Sequence, residues 1–106
     1  MERDDLSYDL DSIGFNRTYG LLSSRWKVYL ICAIGNNTLR MGELKRLFSA
    51  ISRVTLTRYL QELERDGFIR REVYPAPPLR VEYSLTEMGR SVLPILQQLL
   101  QWGAEY

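Results

Sequence analysis

Residues 42–85, GELKRLFSAISRVTLTRYLQELERDGFIRREVYPAPPLRVEYSL, decide the fold. Leu56, Leu60 and Leu63 recur there at helical spacing and form one apolar stripe. At about 100° per residue, Val54, Arg58, Gln61 and Arg65 fall on the opposite side. Ser52 stands where a hydroxyl caps such a helix, and Asp66-Gly67 stops it. Upstream, Glu43 to Phe48 spell a short helix with Leu44, Leu47 and Phe48 turned inward, and Ser49-Ala50-Ile51 make the turn. Downstream, two alternating runs, Phe68 to Tyr74 and Arg80 to Leu85, are joined by Pro75-Ala76-Pro77-Pro78-Leu79. A helix–turn–helix followed at once by a Pro-tipped hairpin predicts a winged helix, in a chain that is mainly α with one small β hairpin. Arg and Gln presented outward beside a basic hairpin suit a DNA major groove and its neighbouring backbone.

At 106 residues the chain has room for one domain with an adequate core. Apolar residues at 45% and charged ones at 25% are the proportions of an ordinary soluble fold. The longest useful apolar run, Val28 to Ile34, falls far short of the roughly 20 residues a membrane helix needs. Met1-Glu2-Arg3-Asp4-Asp5 is too acidic for a secretory leader, so a cytoplasmic protein is expected. Cys32 is the sole cysteine and histidine is absent, which argues against a zinc site, a disulfide or a His-dependent catalytic centre. No metal and no cofactor is expected. The net charge of +1 conceals an asymmetry: residues 1–11 carry a net of −4, and the remainder a net of +5. A modestly basic body suits a nucleic-acid binder.

Residues 1–14 read as an acidic N-terminal segment, either a solvated tail or the lead-in to a dimer-forming helix. Residues 15–106 read as the winged helix–turn–helix domain with terminal dimerisation helices. A short helix is expected over Phe15 to Leu22. Ser23 or Ser24 caps the next, which carries Trp26, Tyr29, Leu30 and Ala33 and stops at Gly35-Asn36-Asn37. Thr38 to Met41 suits a stub strand. Thr86 caps a final helix with Glu87 in its first turn, running through Val92, Leu93, Leu96, Leu99, Leu100 and Trp102 to Gly103. Pro94 either kinks this helix or marks a later start. Its apolar positions are too many for one face, so Leu93, Leu96, Leu99, Leu100 and Trp102 are expected to pair with a second copy. The alternative is a helix folded back on its own core.

Candidate DNA contacts follow from position. Ser52, Arg53 and Thr55 sit at the helix end that enters a groove deepest, although Ser52 has the cap to serve as well. Arg58, one turn further, suits a base edge. Arg53 and Thr57 suit phosphates, and Gln61 shares the outward face. Arg65 lies three turns in and is a weaker candidate. Arg80 in the wing suits a phosphate or the minor groove, the alternative being a cross-strand pair with Glu72. Arg40 and Lys45 flank the first helix of the motif, where a backbone contact is plausible. Tyr74 and Tyr83 pack the hairpin, and Pro77-Pro78 stiffens its tip. Without a nucleophile–base pair, no enzyme is expected. The rival reading is a winged helix used for protein contacts without specific DNA binding. It would favour an apolar or acidic recognition face, whereas this one carries Arg53, Arg58 and Arg65 against Glu62. A small hydrophobic effector near Trp26, Tyr29 and Trp102 is a further possibility.

Several segments carry a specific resemblance. They are Arg25-Trp26; Leu39-Arg40-Met41-Gly42-Glu43-Leu44; Ile51-Ser52, Leu56-Thr57 and Leu60 to Ile69; and Val73-Tyr74-Pro75, Pro77-Pro78 and Arg80 to Arg90. Together they resemble the HxlR family of bacterial winged-helix transcription regulators, over nearly everything from Arg25 to Trp102. The resemblance implies a dimeric regulator of inverted-repeat promoter DNA, with residues 52–66 as recognition helix and 69–85 as wing. Some members of that family sense electrophiles or oxidants through an N-terminal cysteine. Here that position falls roughly at Ser12, which forms no thiolate. Ser23-Ser24-Arg25-Trp26 stands in place of the family's Gly-Gly-Lys-Trp, and Met41 in place of a Phe. Cys32, amid Leu30, Ile31 and Ile34, reads as a small buried hydrophobe. Thiol sensing is not expected.

Overall fold

The computed structural model describes residues 12–106. The acidic stretch at residues 1–11 lies outside them. Helix α1 spans Ile13–Leu22, two residues longer at its start than the expected Phe15 to Leu22. The extension comes from Ser12, whose Oγ accepts the Phe15 N–H at 3.0 Å. Ser24 caps α2, Arg25–Ile34, in the same way by accepting from Lys27 N at 3.3 Å. Gly35 ends α2 at a φ of 52°, a conformation suited to glycine.

The stub strand β1, Leu39–Arg40, leads directly into α3, Met41–Leu47. This helix begins two residues before Glu43 because the Glu43 carboxylate reaches back to accept the Arg40 N–H at 2.9 Å. Leu44 and Phe48 enter the core, but Leu47 is 62% exposed, contrary to expectation. So short a helix buries only one i, i+4 row, and Leu47 lies beside that row.

Helix α4, Arg53–Arg65, carries Leu56, Leu60 and Leu63, all essentially inaccessible to solvent. Burying each contributes about 2–3 kcal/mol, which fixes the rotation of α4 about its axis. They meet Leu30, Ile31 and Ile34 of α2 together with Leu44, Phe68, Ile69, Tyr83 and Leu85 in one core.

Strands β2, Ile69–Tyr74, and β3, Arg80–Leu85, form the wing, and β1 pairs with the outer side of β3, giving an antiparallel sheet in the order β1-β3-β2. Register sets Arg71 opposite Tyr83, Glu72 opposite Glu82 and Tyr74 opposite Arg80. Strand alternation therefore puts Ile69, Arg71, Val73, Val81, Tyr83 and Leu85 on one face, and Arg70, Glu72, Tyr74, Arg80, Glu82 and Ser84 on the other.

Helix α5 runs unbroken over Glu87–Glu105, passing Pro94 and Gly103 without stopping. A later start at Pro94 is thus excluded. Thr86 anchors it: Oγ1 donates to the Gly67 carbonyl at 2.6 Å and accepts the Gly89 N–H at 3.1 Å. Leu93 and Leu96 are buried in the protein's own core, while Leu99, Leu100 and Trp102 are exposed. Two of the five residues expected to pair with a second copy are therefore core residues. Leu93 and Leu96 pack inward, while from Ile95 onward α5 also presents an exposed apolar face.

Candidate nucleic-acid interface

The Leu56, Leu60 and Leu63 stripe turns Val54 and Arg58 outward, and both are exposed. Ser52 Oγ accepts the Thr55 N–H at 3.1 Å and donates to Thr55 Oγ1 at the same distance. These two hydroxyls are thus occupied by the cap, and Thr55 is half-buried.

Arg53, Thr57 and Gln61 occupy the flank of α4 that faces the sheet. They line a polar groove with Met41, Glu64, Arg71, Val81 and Tyr83. Arg71 was not among the expected site residues. Its signal was nonetheless present: it stands two residues after Ile69 and two before Val73, so alternation puts it on their face.

Arg58 Nη1 lies 3.6 Å from Glu62 Oε2, and its guanidinium sits 4.8 Å from the centre of the Tyr59 ring. Glu62 also accepts from Lys27 Nζ of α2 at 2.7 Å, with the Lys27 side chain only 12% exposed. The Lys27 hydrogen bond holds the Glu62 carboxyl below the usual carboxylate range, and the charges of Lys27, Arg58 and Arg65 add to this against the opposing effect of burial. Glu62 therefore fastens α4 to α2 and steadies Arg58 on the outward face. Arg65 Nε lies 3.3 Å from Asp66 Oδ1 at the far end of the helix.

Arg80 and Arg40 lie on the opposite sheet face. Arg80 Nε is 2.9 Å from Glu82 Oε2 without an aligned N–H···O bond, a contact of charge and proximity. The Arg80 guanidinium also covers the Tyr74 ring at 4.2 Å, and Arg40 Nε approaches the same Glu82 oxygen at 3.9 Å. Arg80 thus pairs with Glu82 rather than with Glu72. The register decides this: Tyr74 stands opposite Arg80, while Glu72 stands opposite Glu82. Lys45 is half-buried on α3. The expected contacts thus do not form one cluster: Arg53, Thr57 and Gln61 line the groove, Arg58 points outward, Arg40 and Arg80 lie behind the wing, Ser52 and Thr55 join in the helix cap, and Lys45 stands apart on α3.

The remaining expectations concern α1, α2 and α5. Trp26 packs edge-on against Tyr29 and Phe48 at 5.9 and 6.2 Å, and Trp102 pairs with Tyr106 at 5.8 Å. The apolar cleft between α1 and α5 is lined instead by Leu21, Leu22, Met88, Val92, Ile95 and Leu99. Trp26, Tyr29 and Trp102 therefore do not converge on that cleft. Cys32 is half-buried and burial raises its thiol pKa.

Among the described residues no cluster of His, Cys, Asp and Glu could hold a metal ion, and no helix is long and apolar enough to cross a membrane. A basic recognition helix with its wing beside it is the apparatus of a DNA-binding transcriptional regulator. The chain belongs to the HxlR-like helix-turn-helix family, whose profile matches residues 21–106. A Methanothermobacter thermautotrophicus protein described as an uncharacterized HTH-type transcriptional regulator is 47% identical over 85 residues, covering 80% of this chain and 65% of its own. The chain thus spans just under two thirds of that relative. Among solved structures, the redox regulator HypR in its oxidized form superimposes with a TM-score of 0.80 at 38% identity, over 88% of this chain and 96% of that one. A protein from Porphyromonas gingivalis W83 described as a MarR-family transcriptional regulator superimposes at 0.84 with 33% identity, over 96% and 98% of the two chains.

Proposed function

We propose that the protein works as a homodimer on inverted-repeat promoter DNA, with α4 in the major groove and the wing against the flanking backbone. The observation that carries this is the division of the surface. Polar and cationic side chains collect on α4 and the wing, whereas exposed large apolar ones are densest on α1 and α5, with single ones such as Val54, Val73 and Leu79 elsewhere. Ile13, Phe15, Tyr19 and Leu22 on α1 and Ile95, Leu99, Leu100 and Trp102 on α5 are all exposed, and Leu22 shares a cleft with Ile95 and Leu99. So large an apolar surface suits a second copy, and a two-fold pairing makes the two recognition helices equivalent. They then meet successive major grooves about 34 Å apart.

In each half-site Arg58 is placed for a base edge. Arg53 and Arg71, on either side of the groove beside α4, are placed for phosphates. Arg40 and Arg80 share Glu82 and serve the backbone nearer the wing tip. DNA phosphates compete with Glu82 for both guanidinium groups, so their contribution is electrostatic and independent of sequence.

The test is sedimentation of the protein alone and with a duplex. The native chain is expected to be a dimer at micromolar concentration. A variant with Leu99→Glu and Leu100→Glu is expected to stay folded, become monomeric and lose high-affinity binding. A native chain that sediments as a monomer, or a monomeric variant with native affinity, overturns the proposal.

A further inference from the structure

Val54 is the second residue of α4 and is 80% exposed. A β-branched side chain gives a helix no propensity advantage, and here it gains nothing from burial. It lies almost diametrically opposite the Leu56, Leu60 and Leu63 stripe, so no movement of α4 about its axis brings it into the core without expelling those leucines. Among the described residues it is the sole exposed large apolar side chain on α4; the others lie on α1, α2, α3, the wing and α5, with Tyr106 just after α5.

Its surroundings are polar. Arg53 precedes it and Arg58 follows one turn later, and the nearby Ser52 and Thr55 hydroxyls are occupied by the helix cap. The arginines can hold phosphates or acceptor atoms of a base edge. Val54 can neither donate nor accept a hydrogen bond. Pressed against most base edges, it would strip water from a donor or acceptor and return nothing. One feature of the major groove is apolar: the C5 methyl group of thymine.

We propose that Val54 packs against a thymine methyl group in each half-site and so selects thymine at that position. The assignment rests on the reading of α4 as the groove-facing helix.

The test uses the native chain and a duplex obtained by selection. Each thymine of the half-site is replaced singly by deoxyuridine, which lacks only the methyl group. At one position per half-site the native Kd is expected to rise about fourfold, the factor that corresponds to exposing one methyl group. Val54→Ser is expected to bind the thymine and deoxyuridine duplexes equally, and Val54→Ile to keep the difference. Both variants are expected to unfold at the native temperature, because position 54 is exposed. Strong binding that is indifferent to every deoxyuridine overturns the Val54 assignment alone, as does a deoxyuridine penalty that survives Val54→Ser. A chain that enriches no duplex overturns the reading of α4 as well.

Discussion

Gly89 lies in the first turn of α5, where that helix crosses the start of β2. A Cβ placed there would stand 2.1 Å from the Phe68 carbonyl oxygen and 3.2 Å from Leu85 Cβ. The first contact is with backbone that cannot rotate away. Phe68 O already accepts the Thr86 N–H at 3.1 Å, and Thr86 also holds Gly67 and Gly89. Gly89→Ala must therefore lift α5 off the sheet by more than an ångström and loosen the Thr86 anchor. Overpacking costs about 1–3 kcal/mol and loss of a cap about 1 kcal/mol. The sum, about 2–4 kcal/mol, corresponds to a fall in Tm of roughly 8–20 °C for a domain of this size. Gly103→Ala in the same helix is the control. Nothing lies within 4 Å of its added methyl, so the gain in helix propensity leaves Tm unchanged or slightly raised. Thermal unfolding followed by circular dichroism distinguishes the two. A Gly89→Ala protein that melts within 2–3 °C of the native chain, well short of the shift expected from overpacking, refutes the close approach of α5 to β2.

Arg58→Ala is expected to cost about 1–3 kcal/mol on a specific duplex and to relax the preference at one base pair per half-site, read by titration against specific and scrambled sites. Equal losses on both duplexes would make Arg58 a phosphate clamp. Arg80→Ala is expected to weaken both duplexes alike and to lower the salt slope by up to about one unit, since Glu82 already neutralises part of its charge. Because the folded Glu62 pKa is depressed, its contribution to stability is present above the unfolded value of about 4.3 and is lost as pH falls through the folded value. Chemical denaturation from pH 7 to pH 3 should thus show a smaller acid loss for Lys27→Met than for the native chain, and parallel curves would contradict the Lys27–Glu62 pairing. Diamide is expected to leave DNA affinity unchanged, because Ser12 is a helix cap and Cys32 is a half-buried thiol with raised pKa. An oxidant response abolished by Cys32→Ser with fold intact would refute this.

The elements that could be read from the chain are those whose signals are local. The Leu56, Leu60 and Leu63 spacing, the hydroxyls of Ser24, Ser52 and Thr86, and the turn at Asp66-Gly67 each act within one or two turns of helix. Other features depend on partners distant in sequence. Leu93 and Leu96 are spaced like Leu99 and Leu100, and only the packing of α5 on the rest of the fold separates core from surface. Arg80 covers the Tyr74 ring because the register sets Tyr74 of β2 opposite it. Arg71 reaches the recognition helix because the wing curls beside α4, a relation that no strand shows in isolation. Lys27, half-buried against Glu62, carries no sign of that pairing in the sequence around it. Charge pairs across helices leave no periodic trace in a sequence.

Selection of bound duplexes from a random pool, with the native chain and no effector, tests the central claim most directly. The account predicts an enriched site with dyad symmetry, its half-sites centred about 34 Å apart, roughly one turn of duplex. Enrichment of an asymmetric site, or of none, contradicts it.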